Sequence, residues 1–347
     1  MLKRLSQLLG RLPGRRTPQD HHGGEKGTPA LSSSTRKADE PFNPIRVDKA
    51  SLIALHRQAI NLSLTALKVR AAQSGQYLSS FRGRGMEFDE VRPYQPGDDV
   101  RTLDWRVMAR SGKPHTKLFR EERERAVLLW VDHRASMFFA TRGAFKSVLA
   151  ARGAALLAWA AVQQGDRVGG LIFSERQHEE LRPQSGKHAV LHLIQRLVAL
   201  GERESSRHHD RGEVSDAALQ ALLRLRRVAH PGSLIILLSD FRDMDERSEL
   251  HLSQLARHND VLMFFIYDEL ETHLPPAGLY RVGDGEQSIT LDTVDASARE
   301  AYRQGFIARR NALQAMCRRH GIGFVPCATS ESLPKILRDS LGLRGAA

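Results

Sequence analysis

The sequence predicts an α/β protein with a doubly wound, mostly parallel sheet, preceded by an N-terminal helix and a small β-rich segment. From residue 126 onwards, short apolar runs alternate with longer stretches of helical periodicity. Two of the runs, 126–131 and 233–238, are apolar almost throughout, as expected for strands buried on both faces. Strand–helix–strand order favours right-handed crossovers, which place helices on both faces of the sheet.

Composition divides the chain into four segments. Residues 1–47 hold nine Lys/Arg against four Asp/Glu and are rich in Gly, Pro and Ser, so they are predicted to be a disordered basic arm. Residues 48–74 are predicted to be an amphipathic helix with an apolar stripe of Leu52, Ile53, Leu55, Ile60, Leu64 and Leu67. Residues 75–124 form the β-rich segment, and residues 125–347 form the α/β domain.

In the β-rich segment, the spacing of apolar residues changes from a helical period to alternation with every second residue. It predicts strands at 87–94, 103–107 and 115–119, with Trp105 as a packing anchor. In the α/β domain we predict strands at 126–131, 167–173, 179–182, 233–238, 261–267 and 323–327, with a short β excursion at 278–293. Helices are predicted at 143–164, 187–200, 214–230, 245–257, 296–320 and 331–341.

The overall composition restricts the kind of protein. The net charge is +12 but only 6% of residues are aromatic, so base-stacking platforms are lacking and specific nucleic-acid binding is not expected. The two cysteines imply no disulfide framework, and no apolar stretch reaches bilayer length, so we expect a cytoplasmic protein. The leucines and basic residues at the start of the arm make it a candidate for peripheral contact with an anionic membrane.

Two buried strands are followed by carboxylates. Asp132 and Asp240 each end an apolar run, and Ser136 and Ser239 lie close to them. The carboxyl ends of parallel strands meet at one edge, where ligands of doubly wound sheets bind. Oxygen ligands of this kind suit Mg²⁺. The alternative is that both aspartates cap the helices that follow.

The residues around Asp132 resemble a known motif. The segment 132–136 is similar to the Asp-x-Ser-x-Ser metal-ion-dependent adhesion motif of von Willebrand factor A domains, and Asp240 falls on the second aspartate of that motif. The chain also resembles the bacterial family named domain of unknown function 58, from about residue 50 to the C-terminus. The residues that carry this resemblance are 83–88, 92–101, Leu103-Asp104-Trp105, Ala109-Arg110 and Ser136-Met137. The resemblance implies a MoxR-type AAA+ ATPase as partner, in the assembly, activation or maturation of client proteins.

One residue departs from the adhesion motif. Arg134 occupies the position of its first serine, and the threonine of the motif is not evident. A guanidinium forks readily onto carboxylates. We therefore expect Arg134 to neutralise Asp132 and Asp240, with no cofactor bound. A Mg²⁺ site made by Asp132, Ser136 and Asp240 is the alternative.

Opposite charges alternate through the β-rich segment. Most of them are expected to form an internal lattice of salt bridges. If a partner-facing surface exists in this segment, Asp98, Arg101 and Asp104 are the candidates for it. Arg134 in the crevice is a further candidate for partner binding.

The sequence favours binding over catalysis. Gly186-Lys187 lacks the other residues of a phosphate-binding P-loop, and no Gly-x-Ser-x-Gly elbow occurs. We expect a non-catalytic accessory or adaptor protein that binds an AAA+ ATPase or its client. Two alternatives stay open: a metal-dependent hydrolase using Asp132 and Asp240, and a basic binder of nucleic acid or membrane surfaces.

Overall fold

A six-stranded sheet forms the centre of the protein. The computed structural model describes residues 42–60, 62, 64, 86–95, 103–121, 124–205, 216–283 and 288–341. Its strands are β3 (Ala126–Asp132), β4 (Arg167–Phe173), β5 (His178–Gln184), β6 (Leu234–Ser239), β7 (Asp260–Tyr267) and β10 (Gly323–Ala328). They lie in the order β10-β7-β6-β3-β4-β5, and every neighbouring pair is parallel except the antiparallel β4–β5 hairpin. The predicted doubly wound, mostly parallel sheet is confirmed.

Helices cover both faces of this sheet. Residues of β3 alternate between two apolar clusters: Val127, Leu129 and Val131 belong to one, and Leu128 and Trp130 to the other. Both sides of the strand therefore pack against helices, and all seven of its residues are buried. The helices of the domain are α4 (Lys146–Gln163), α5 (Lys187–Ser205), α6 (Ala217–Val228), α7 (Glu246–Ala256), α8 (Glu269–Thr272), α9 (Ala296–Arg319) and α10 (Leu333–Leu341).

The predicted β excursion is a hairpin. It comprises β8 (Leu279–Gly283) and β9 (Ser288–Asp292), which pair antiparallel in the connection between β7 and α9. In the part of the chain that the structure describes, no helix combines the length and the apolar character needed to cross a bilayer.

The structure describes only the first part of the predicted N-terminal helix. Of the predicted range 48–74, residues 48–60, 62 and 64 are described, and they contain α1 (Lys49–Ala54) and α2 (His56–Ala59). Of the predicted stripe, Leu52, Leu55 and Leu64 are buried, whereas Ile53 and Ile60 are exposed. Leu67 lies outside the described residues.

The end of the predicted arm contacts the α/β domain. The Arg152 guanidinium lies 3.9 Å from the centre of the Phe42 ring. The backbone N–H of Phe145 donates to the Pro44 carbonyl at 2.8 Å, and Val47 packs against the apolar core. The packed part of the chain therefore includes contacts from the last six residues of the predicted arm, 42–47.

The β-rich segment contains a helix where a strand was predicted. The strands predicted at 87–94 and 115–119 are present as β1 (Met86–Pro93) and β2 (His115–Glu121), and they pair antiparallel. The strand predicted at 103–107 is wrong: α3 (Trp105–Ser111) starts there instead. Asp104 caps this helix by accepting from the N–H groups of Arg106 and Val107, and Gly112, at φ 67°, ends it. An N-cap aspartate and a left-handed glycine outweigh a short alternating pattern. The prediction of Trp105 as a packing anchor is also wrong, since it is 65% exposed.

Candidate functional site: a charged cluster at the carboxyl edge of the sheet

Asp132 and Asp240 lie side by side at the carboxyl edge of the sheet. Strands β3 and β6 are parallel neighbours, with Val131 opposite Leu238. Asp132 is the last residue of β3, and Asp240 directly follows β6. Both carboxylates are fully buried. The predicted adjacency of Asp132 and Asp240 is confirmed. Two buried carboxylates this close together require positive charges beside them.

Arg134 supplies that charge to Asp132. Its Nε lies 3.1 Å from both carboxylate oxygens of Asp132, and its Nη2 lies 2.8 Å from Oδ2. The Ser239 hydroxyl donates to the same Oδ2 at 2.6 Å. Burial alone lowers the pKa of Arg134, but the Asp132 carboxylate outweighs this effect and the pKa is raised. Arg134 also reaches Asp240, with 3.7 Å between Nη2 and Oδ1.

Lys146 supplies the charge to Asp240. Its Nζ lies 2.8 Å from Asp240 Oδ2 and 2.9 Å from Glu271 Oε1, and the lysine side chain is fully buried. Arg242 adds a second cation, 3.2 Å from Asp240 Oδ2 and also in contact with Glu271 Oε1. Burial raises the pKa of Asp240, but Lys146 and Arg242 together hold it well below its usual range. Asp240 is therefore charged, and both aspartates are paired with buried cations.

The turn that follows Asp240 is strained. Phe241 and Asp243 have φ values of 47° and 64°, a region that residues other than glycine seldom adopt. The Phe241 ring stacks on Trp130 at 6.4 Å, which anchors the turn to the core. The Arg242 carbonyl consequently faces Arg134 Nη1 and Nη2 at 3.5 and 3.4 Å. Strain of this kind is concentrated at functional sites.

His133, between Asp132 and Arg134 in the chain, is fully buried. Neither of its ring nitrogens has a hydrogen-bond partner among the described residues. Burial lowers the pKa of His133 to about 4, although the neighbouring Asp132 acts in the opposite direction. The imidazole is therefore neutral at pH 7, and it adds no charge to the cluster.

The residues present do not fit a divalent cation. The nitrogen atoms of Arg134 and Lys146 lie on the carboxylate oxygens that would bind Mg²⁺. Ser136 Oγ is buried without a hydrogen-bond partner in the described structure, and Ser136 contributes nothing to the cluster. The described residues also contain no group of three His, Cys, Asp or Glu side chains suited to a metal.

The structure describes only part of the candidate partner surface in the β-rich segment. Asp98 and Arg101 lie outside the described residues. Asp104 is described, and its carboxylate caps α3 rather than presenting a free charge. The structure therefore brings Arg134, Asp132 and Asp240 together but does not join Asp104 to them.

Three members of the cluster were not predicted from the sequence: Lys146, Arg242 and Glu271. Lys146 carried a signal, since it is a lysine at the start of a helix whose next sixteen residues are mostly Ala, Leu and Val. Glu271 carried none, because its position depends on α8, a helix of only four residues.

The chain is similar in sequence to uncharacterized proteins of mycobacteria. The chain is 28% identical to the uncharacterized proteins Mb1516 of Mycobacterium bovis and Rv1480 of Mycobacterium tuberculosis, over 70% of this chain and 74% of each relative. The solved structure of the conserved hypothetical protein BatB from Bacteroides thetaiotaomicron has a TM-score of 0.36 and 13% identity, over 63% of this chain and 97% of that one. The solved structure of an aerotolerance-related membrane protein from Bacteroides fragilis has a TM-score of 0.35 and 16% sequence identity, over 63% of this chain and 99% of that one. TM-scores this low carry no inference about fold or function.

A family model covers more than half of the sequence. The model described as "Protein of unknown function DUF58" matches residues 90–312. This range includes the carboxyl edge with Asp132, Arg134, Lys146, Asp240 and Glu271. The chain belongs to the DUF58 family.

Proposed function

We propose that this chain is a non-catalytic accessory protein that binds a protein partner at the carboxyl edge of its sheet. The proposed partner is a MoxR-type AAA+ ATPase or a client of that ATPase. The family resemblance is the reason for proposing this partner, and the geometry of the charged cluster supports this edge as the binding site.

One observation carries the proposal: the carboxylates at this edge are neutralised from within. Asp132 accepts from Arg134 and Ser239, and Asp240 is paired with Lys146 and Arg242. A carboxylate that serves as a base or a metal ligand must be free to change partners during a reaction. A carboxylate fixed by internal cations instead holds the surrounding loops in one conformation, which suits recognition of a partner.

Arg134 gives the partner a point of attachment. Two of its nitrogens are held tightly by Asp132, whereas Nη1 has only a 3.5 Å contact with the Arg242 carbonyl and a 3.8 Å contact with Asp243 Oδ2. The Asp243 side chain is 37% exposed and lies in the strained turn. An acidic side chain of the partner would compete with Asp243 for Nη1. The exposed ion pair of Arg142 and Glu269, 3.4 Å apart, lies at the same edge.

The hydrolase alternative has less support. It needs Asp132 and Asp240 to hold a metal, and that use requires the removal of two buried cations. In the described residues, no further carboxylate cluster offers a replacement.

The test is direct binding to the purified MoxR-type ATPase encoded by the same organism, measured by calorimetry. Asp243→Ala removes the internal competitor of the partner's carboxylate, so we expect affinity to rise. Arg142→Glu places a repelling charge at the edge, and we expect affinity to fall about tenfold, equivalent to about 1.4 kcal/mol.

Arg167→Glu is the matched control. Arg167 and Glu124 form an exposed ion pair at the start of β4 and β3, which is the opposite edge of the sheet. We expect this variant to bind like the wild type. Equal losses in Arg142→Glu and Arg167→Glu would place the interface elsewhere, and no binding between the purified proteins would contradict the proposed partner.

A further inference from the structure

Lys146 is an unusual residue for its position. It is the first residue of α4, and its side chain has no exposed surface. Lysines are rarely buried to this extent unless the ammonium is paired. Here Nζ bridges two carboxylates that come from separate connections, Asp240 after β6 and Glu271 after β7.

The carboxylates that hold the ammonium are themselves fixed. Glu271 Oε2 accepts from the backbone N–H of Asp268 at 3.1 Å, as part of the capping box of α8. The Asp268 carboxylate accepts from the hydroxyls of Thr141 and Thr329 at 2.6 and 2.7 Å. Glu271 therefore cannot rotate away without loss of the helix cap. The ammonium lies in a built site and not in a chance contact.

The charges of the cluster balance without a metal. In the buried part of the cluster, Arg134, Lys146 and Arg242 face Asp132, Asp240 and Glu271, which gives three positive and three negative formal charges. The more exposed Asp243 adds a 3.8 Å contact with Arg134 at the margin of this group. A divalent cation would raise the positive charge to five, with Nζ already at the oxygens that it needs. We infer that Lys146 is a built-in cation that replaces a divalent ion between Asp240 and Glu271, so that this site is set permanently and is independent of metal.

The inference bears on regulation of the proposed binding edge, and in that respect it rests on the proposed function. A site completed by a metal responds to the concentration of that metal and to chelators. A site completed by a lysine stays in one state. Binding at this edge is then constitutive with respect to divalent cations.

The experiment uses the full-length chain alone, so its outcome does not depend on any partner. We expect thermal unfolding of the wild type to be the same in EDTA and with Mg²⁺, Mn²⁺ or Ca²⁺. Lys146→Ala removes the ammonium from between the two carboxylates, which then keep Arg242 as their remaining shared cation among the described residues. We expect this variant to unfold at a lower temperature in EDTA and to bind one Mn²⁺ per chain. At a hundredfold excess over Kd, Mn²⁺ should raise its unfolding temperature by about 5–10 °C.

Four variants separate the causes. Lys146→Met removes the charge but fills the space, so it should be destabilised without a response to Mn²⁺. Lys146→Ala combined with Glu271→Gln should lose the response. Arg134→Ser alone should also show none, because Lys146 still occupies the site. Lys187→Ala is the matched control: Lys187 is likewise the first residue of a helix, α5, but is exposed, and its loss should change neither stability nor Mn²⁺ binding.

Two results would overturn the inference. One is saturable Mn²⁺ binding by the wild type that Asp240→Asn abolishes. The other is a Lys146→Ala variant that ignores Mn²⁺. If that variant does not fold in EDTA, the yield of refolding with and without Mn²⁺ becomes the readout, and an equal yield counts against the inference. If the ATPase fails to bind while these metal responses hold, the proposed function is wrong and the role of Lys146 stands.

Discussion

Replacement of Arg134 by serine tests the charged cluster most directly. Arg134→Ser removes three side-chain hydrogen bonds and the guanidinium charge from Asp132, which is fully buried. The carboxylate keeps the Ser239 hydroxyl and one backbone N–H as donors. Loss of one partner from a buried ion pair costs about 3–5 kcal/mol. At about 2–4 °C per kcal/mol, the unfolding temperature should fall by about 6–20 °C.

The measurement is chemical denaturation together with calorimetry, and it has an internal control. Arg142→Ser removes one half of a pair whose side chains are 69% and 41% exposed, and it should cost less than about 1 kcal/mol. Asp132→Asn added to Arg134→Ser should recover part of the loss, because no buried charge is then left unpaired. If Arg134→Ser and Arg142→Ser are equally mild, the guanidinium is not the counter-ion of Asp132 and the account of the cluster fails.

Three further predictions concern the arm, the buried histidine and catalysis. A chain that starts at residue 42 should unfold at a higher temperature than one that starts at residue 48, because Phe42, Pro44 and Val47 contact the domain; equal transitions would mean that these contacts contribute nothing. The folded-state pKa of His133, about 4, lies below its value of 6.5 in the unfolded chain, so the unfolded state takes up a proton first as the pH falls. Stability should therefore drop by about 3 kcal/mol between pH 7 and pH 4. His133→Leu should remove that part of the slope in urea titrations, and an unchanged slope would show that His133 does not titrate in this window. The purified protein should not hydrolyse ATP or GTP above a heat-inactivated control, since its sequence offers no phosphate-binding loop.

The architecture of the α/β domain could be predicted from the sequence because its central strands are almost entirely apolar. Ala126–Val131 and Ser233–Leu238 have no polar face, which is the property of strands buried on both sides. The error at 103–107 has a local cause: alternation over five residues is weak, while the cap made by Asp104 acts through two hydrogen bonds.

The site could be predicted only as far as it follows from strand order. Asp132 and Asp240 end adjacent parallel strands, so their proximity follows from topology. Arg134 is two residues from Asp132, and its fork onto that carboxylate is a local contact. Lys146 and Glu271 are 125 positions apart, and only the folded connections bring them together. Side chains that meet across such distances leave no periodic trace in a sequence.

The two outer strands of the sheet limit how this protein can associate. On one side, β5 carries Glu179, Glu180, Arg182 and Pro183; on the other, β10 carries Pro326. Proline offers no N–H to an incoming strand, and charged side chains oppose stacking of a second sheet edge. Extension of the sheet by a strand from another chain is disfavoured at both margins. Among the described elements, the helices, the loops and the two hairpins β1–β2 and β8–β9 are then left for assembly.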